Sequence, residues 1–207
     1  MPAAALLLTG GASRRMGRAK ASLMVAGAGP SVAGAGPSVA GARQSLAGRT
    51  AGLLGGVAAP VVEVGPGYSR LPAVREDPPG TGPLAAVAAG HQALRAMGWT
   101  GPVLVVATDL PRLTAGLLAW LAEHPSPRSV VPAAGDIPQP LCARYSPPDL
   151  DLASVLAAEG RRSMQDLLTR IDALVVVAEE WQPAAGEPDA LVDVDTPTDL
   201  ARLLLRP

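Results

Sequence analysis

A chain of 207 residues with a formal net charge of −1 and a pI near 6.1 is long enough for one α/β domain with a sizeable core, and it lacks the basic footprint of a protein that binds nucleic acid as a polyanion. A single cysteine, Cys142, excludes an internal disulfide framework and fits a reducing cytoplasm, while the short apolar opening, broken at once by Gly and Arg, gives neither a signal peptide nor a membrane span. Phe is absent and aromatics make up 2% of the chain, so the core is expected to be aliphatic, in one domain over residues 1–207.

Ala3 to Leu8 carries no polar interruption and reads as a buried parallel strand, whose carboxyl end is where such sheets present ligands. Thr9-Gly10-Gly11-Ala12-Ser13-Arg14-Arg15-Met16-Gly17-Arg18-Ala19-Lys20 follows. Its glycines allow a sharp turn that brings peptide N–H groups close to an anion, and Arg14, Arg15, Arg18 and Lys20 supply compensating charge. The spacing is neither that of a Walker A loop nor that of the dinucleotide fingerprint. Val25 to Ser31 then reads Val-Ala-Gly-Ala-Gly-Pro-Ser and recurs letter for letter at Val32 to Ser38, before a partial copy at Val39-Ala40-Gly41-Ala42. Such a stretch is too short for a solenoid, and it is expected to be a flexible insert at 25–38, a tolerated duplication more than a lid.

Leu46, Leu53 and Leu54 fall at helical spacing, Val61 to Val64 after Pro60 reads as a second strand, and Ala73 to Arg75 as a short third. Pro83 to Met97 reads as a helix with proline in its first turn. Val103 to Ala107 is the clearest central strand and ends on Thr108-Asp109-Leu110-Pro111. Thr114 is expected to cap a helix to Glu123. Strands at Val130-Val131 and Leu141 to Arg144 precede helices near Leu150 to Ala158 and Ser163 to Ile171. Leu174 to Val177 is the last apolar strand, and Thr196-Pro197-Thr198-Asp199 starts a helix. This alternation gives a layered α/β sandwich on a mostly parallel sheet.

Asp109, placed after the central strand, suits Mg²⁺, which takes one or two carboxylates together with phosphate oxygens and water; an ordinary turn residue fits the same position. Asp77 with Gly80, Gly82, Pro83 and Leu84 is either a Pro-Gly turn or a loop that admits a base or ribose. Asp193 and Asp195, two apart, project to one side of an extended segment. His91 and His124, on helical stretches, are not expected to be catalytic. Cys142 reads as a buried strand residue, and Trp99, Trp120 and Trp181 as packing or surface anchors.

The segment Leu8 to Lys20 resembles the opening signature of the MobA-like nucleotidyltransferases, Leu-Ala-Gly-Gly-x-Ser-x-Arg-Met-Gly-x-x-Lys, with Thr9 where Ala is usual. Asp77 to Leu84, Val103 to Pro111, Pro140 to Arg144 and Leu191 to Leu200 resemble later family segments in order, and Glu159-Gly160-Arg161-Arg162-Ser163 resembles a Gly-x-Arg-x segment. Gln139 stands where many relatives have His, and Asp193 and Asp195 stand where they have Asn. The resemblance implies a three-layer α/β/α sandwich with a Rossmann-like sheet of the nucleotide-diphospho-sugar transferase type. It implies a molybdenum cofactor guanylyltransferase that moves GMP from GTP to molybdopterin cofactor with Mg²⁺ and releases pyrophosphate. Arg15, Lys20 and Asp109 are then catalytic, with Asp109 on the metal, and Leu8, Thr9, Gly10, Gly11, Lys20, Asp77, Gly82, Asp109, Asp193 and Asp195 bind the substrates. Cofactor-biosynthesis proteins or molybdoenzyme chaperones are the partners it leaves room for, with no nucleic acid and no membrane. A cytidylyltransferase for the same cofactor, a guanylyltransferase for another small phosphate acceptor, and a non-catalytic nucleotide carrier are the alternatives.

Overall fold

The computed structural model describes residues 3–10, 20–26, 43–194, 196, 198 and 199. In chain order these form β1 (Ala3–Leu8), a 3-10 turn (Lys20–Ser22), β2 (Met24–Ala26), β3 (Arg43–Ser45), α1 (Leu46–Gly55), β4 (Ala58–Val64), β5 (Ala73–Val74), α2 (Pro83–Ala96), β6 (Val103–Ala107), α3 (Ala115–Glu123), β7 (Val130–Ala134), β8 (Ile137–Pro138), β9 (Cys142–Tyr145), α4 (Pro147–Ala158), α5 (Met164–Leu168), β10 (Leu174–Val176) and α6 (Ala178–Ala185).

The main sheet runs β10-β7-β9-β6-β1-β4-β5, with β8 paired to β7. Its pairings are parallel except those of β9 with β6 and β7, and of β8 with β7. Successive strand residues point to opposite faces, and β1 shows the result. Ala3, Ala5 and Leu7 pack with Leu54 of α1, Leu117 and Leu121 of α3 and Trp181 of α6, while Ala4, Leu6 and Leu8 pack with Leu84 and Val87 of α2, Leu150 of α4 and Leu167 of α5. Both faces of the central strands are therefore covered, which is why their sequence is continuously apolar rather than alternating. The three layers expected from the sequence are these, and no helix among the described residues is long and apolar enough to cross a membrane.

Local chemistry sets the element starts. Ser45, Thr114 and Ser146 each accept a backbone N–H from the first turn of α1, α3 and α4. Pro147 sits in the first turn of α4, which begins ahead of the expected Leu150, and α5 is shorter than the Ser163 to Ile171 stretch. β4 begins at Ala58, before Pro60, and its register against β1 shifts between Ala3 and Ala5, the place where a strand tolerates proline. The sequence reading gave neither the 3-10 turn nor the β2–β3 ribbon, and it also missed β8 and α6. β8 returns on β7 through Gly135-Asp136, Gly135 taking φ +58°, and α6 contains Pro183, which reads as a breaker, with only Trp181 and Ala185 buried. At Thr196 the expected cap is present: Thr196 Oγ1 accepts from the Asp199 N–H at 3.1 Å, and Asp199 Oδ2 accepts from the Thr196 N–H at 2.8 Å.

Only the first two residues of the insert expected at 25–38 are among the described residues. Val25 and Ala26, which open the repeat, are strand residues, paired antiparallel with Gln44 and Arg43; the rest of the repeat lies outside the described residues.

Candidate functional site

Parallel strands β1, β4, β5 and β6 all end at one edge of the sheet, and antiparallel β9 begins there, because Cys142 pairs with Val106. The ligand-facing loops of such a sheet lie at this edge. β6 ends at Ala107, and Asp109 follows it. Its Oδ2 lies 3.6 Å from the Lys20 Nζ, with side-chain exposures of 30% and 17%. Lys20 is held there by its own turn: Leu23 N–H donates to the Lys20 carbonyl at 2.9 Å, Leu46 N–H to the Leu23 carbonyl at 2.9 Å, and Ala21 and Leu23 are buried.

Asp193 reaches the same place from the far end of the chain, because Val194 N–H donates to the Asp109 carbonyl at 3.0 Å. Burial raises the pKa of Asp109 above the usual carboxylate value; the Lys20 ammonium opposes the rise, and the charge of Asp193 adds to it. Two carboxylates thus meet, only partly offset by Lys20, and such an oxygen donor set fits a hard divalent cation such as Mg²⁺. Cys142, the first residue of β9, is fully buried beside them; burial and the Asp109 charge push its thiol up to about 12, so it is inert.

Leu8 ends β1, buried, and Thr9 is buried with its N–H donating to the Val64 carbonyl at 3.0 Å. Gly10 is exposed, and among the described residues an added Cβ would have its nearest neighbour at 3.9 Å, the Val64 carbonyl oxygen. The steric demand falls instead on Gly65, directly after β4, where a Cβ would lie 2.2 Å from Thr9 Oγ1 and 2.9 Å from the Gly10 nitrogen. Gly11, Arg14, Arg15, Arg18 and Asp195 lie outside the described residues.

Asp77 is exposed in the loop between β5 and α2. The same loop ends at Gly82, with φ +112° and room for a Cβ refused by the Arg162 carbonyl oxygen at 2.7 Å. Arg162 holds this loop: its Nε donates to the Thr81 carbonyl at 2.9 Å and its Nη2 to the Gly80 carbonyl at 2.8 Å, while Leu84 N–H donates to the Arg162 carbonyl at 3.2 Å. Arg162 is thus a brace between the start of α5 and the loop before α2. Leu141 meets the edge from β9, its carbonyl accepting from Ala107 N–H at 2.8 Å.

The sequence reading missed Glu63. This carboxylate is fully buried in β4 and accepts from Thr9 Oγ1 at 2.5 Å, the N–H groups of Gly67, Tyr68 and Ser69 at 2.9, 2.7 and 2.7 Å, and Ser69 Oγ at 2.5 Å. Burial pushes its pKa up, but the hydrogen bonds from Ser69, Thr9 and Tyr68 outweigh it and leave the group below its ordinary value. The signal was an acid inside an apolar strand, followed by Gly-Pro-Gly-Tyr-Ser. His91 is buried on α2, 3.8 Å from Asp151 of α4, and belongs to packing; so does Trp181, whose indole N–H donates to the Ala133 carbonyl at 2.9 Å.

Residues 5–174 match the model of the MobA-like NTP transferase domain. A probable molybdenum cofactor guanylyltransferase from Mycobacterium bovis is 33% identical over 197 residues, covering 88% of this chain and 87% of the relative. Another of the same description, from Chloroflexus aggregans, is 33% identical over 136 residues, covering 63% of this chain and 64% of the relative. Among solved structures, molybdopterin-guanine dinucleotide biosynthesis protein A from Archaeoglobus fulgidus superposes with a TM-score of 0.70 at 22% identity, covering 96% of this chain and 95% of that one. A 2-C-methyl-D-erythritol 4-phosphate cytidylyltransferase from Thermus thermophilus gives 0.59 at 16% identity, with 95% of each covered. These two likenesses speak to the fold.

Proposed function

The chain belongs to the MobA-like NTP transferase family and is a nucleotidyltransferase, and from that premise we propose that it moves GMP from GTP to the terminal phosphate of molybdopterin cofactor, releasing pyrophosphate. The observation that carries this reading is the meeting of Lys20, Asp109 and Asp193 at the carboxyl edge of the sheet. The guanylyl specificity and the acceptor follow from the description of the Mycobacterium relative, aligned over most of both chains.

The acceptor phosphate attacks the α-phosphorus while the bond to pyrophosphate breaks, so the protein mainly has to align the reactants and stabilise charge. The loop that leaves β1, from Leu8 through Thr9, Gly10 and Gly11 with Arg15, cradles the triphosphate, and Lys20 neutralises the departing pyrophosphate. Asp109, with Asp193 beside it, would hold Mg²⁺, which when bound would supply charge stabilisation to the phosphate oxygens. Asp77 and Gly82, in the loop braced by Arg162, receive the nucleoside. Asp193 and Asp195 are assigned to the acceptor, which they could meet only as hydrogen-bond acceptors or cation ligands, unlike the Asn of the family pattern.

Acceptor-dependent pyrophosphate release tests this reading. Full-length protein with GTP, Mg²⁺ and molybdopterin cofactor should release pyrophosphate. A protein that binds GTP but gives none with this acceptor would overturn the reading, in favour of another phosphate acceptor or of a non-catalytic carrier.

A further inference from the structure

The catalytic reading leaves Glu63 without a task, although burying a carboxylate at the triphosphate end of the sheet works against binding an anion there. Its surroundings cancel that charge. Three successive amides, of Gly67, Tyr68 and Ser69, turn inward around Gly67 at φ +90° and close on Glu63, joined by the Ser69 hydroxyl. Converging backbone amides of this kind bind anions, and here the occupant is the chain's own carboxylate. The loop after β4 is thus filled from within, which leaves the loop after β1 to take the phosphates.

The remaining donor comes from outside this nest. Thr9 Oγ1 donates to Glu63 Oε1 at 2.5 Å, and Gly65 lies so close that any side chain there would strike that hydroxyl. A staple for residues 67–69 alone would not need Thr9, and the family pattern has Ala at this position. Thr9 is also the residue at which the chain leaves β1 for the glycine loop, its N–H already fixed on the Val64 carbonyl.

We propose that Glu63 is a positioning residue of the nucleotide site, which sets through the Thr9 hydroxyl the direction in which the triphosphate loop leaves the sheet. This rests on the reading of that loop as the triphosphate cradle. A fixed root sets where the first amides of the loop meet the phosphates, so the effect falls on affinity more than on the chemical step.

The test uses full-length Thr9→Val, which keeps the shape and removes the donor, Thr9→Ala as a second variant should valine disturb folding, and Thr9→Ser, which restores the hydroxyl. Mg²⁺·GTP is titrated calorimetrically and steady-state rates are taken alongside; if the wild type prefers another nucleotide, that one is used. Thr9→Val and Thr9→Ala should weaken binding and raise KM about tenfold, with kcat changed less than about threefold, and Thr9→Ser should recover most of the affinity. If the donor-less variants bind nucleotide as tightly as the wild type while their Tm falls, the Thr9–Glu63 bond is only structural and the proposal is overturned. A wild type that binds no nucleotide would instead overturn the functional reading, and this proposal with it.

Discussion

The ammonium of Lys20 and the carboxylate of Asp109 stand 3.6 Å apart, joining the last residue of the basic loop to the second residue after the central strand. The pair is only half-buried and still reached by solvent, so its direct contribution to stability is modest, and its main effect is on the charge of Asp109. Burial and Asp193 favour the protonated form, and Lys20 favours the ionised one.

Lys20→Met is therefore expected to raise the pKa of Asp109 further. Ligand binding needs the carboxylate, so the acid limb of kcat/KM against pH should lie above the ordinary Asp value in the wild type and move higher still in Lys20→Met. An unmoved limb would separate Lys20 from the ionisation of Asp109.

Asp109→Asn should cut turnover more than tenfold, at least about 1.4 kcal/mol of transition-state stabilisation. Tm should hold nearly steady, because the ionised carboxylate it removes is disfavoured by burial. Rates at saturating Mg²⁺ together with a melting curve check both halves.

Glu63→Gln should destabilise by about 3 kcal/mol at neutral pH, since it removes charge-assisted bonds and turns an amide NH₂ toward N–H donors. The folded-state pKa of Glu63 is depressed, so its contribution is fully present above the unfolded-state value near 4.3 and fades as pH falls from there through the lowered folded value. Denaturant midpoints of wild type and variant should converge below about pH 4; a gap that persists unchanged would assign the loss to packing.

Arg162→Ala removes the brace on the Gly80 and Thr81 carbonyls. Nucleotide affinity should drop about fivefold to tenfold with little change in Tm, because the side chain is exposed. Gly82→Ala, which adds strain at φ +112° and a clash with the Arg162 carbonyl, should lower both.

Much of this was legible in the residues, and the parts that were not share a cause. Ala3 to Leu8 and Val103 to Ala107 announce themselves as doubly covered strands because apolar runs have few other uses, and Asp109 is conspicuous at the end of one. Glu63 is not, because its partners are mostly backbone amides four to six residues on, which carry no letter in the sequence. Gly10 and Gly65 show the same limit: a Gly-Gly pair attracts notice, yet the tight approach is at the glycine after β4. Lys20 and Asp193 converge on Asp109 through sheet order, which spacing along the chain does not encode.

The repeat offers a test of how the segment after Lys20 is built. Deleting Val25 to Ser38 joins Met24 to Val39-Ala40, the same two letters that form β2, and leaves Gly41-Ala42 between Ala40 and Arg43. With Ala26 paired to Arg43 in the present register, the shortened ribbon would close on a two-residue loop led by glycine, a favoured hairpin connection. Stability should change by no more than about 1 kcal/mol and activity should persist. An activity loss beyond about tenfold (about 1.4 kcal/mol) with an unchanged Tm would show that the repeat acts on the nucleotide.

The most direct measurement of the central claim is the identity of the nucleotide transferred. Full-length protein is incubated with Mg²⁺, molybdopterin cofactor and an equimolar mixture of the four ribonucleoside triphosphates, and the product is identified by mass. The account predicts the guanine dinucleotide form of the cofactor with one pyrophosphate released per transfer, and none from Asp109→Asn. A cytosine product, or an unmodified cofactor, would contradict it.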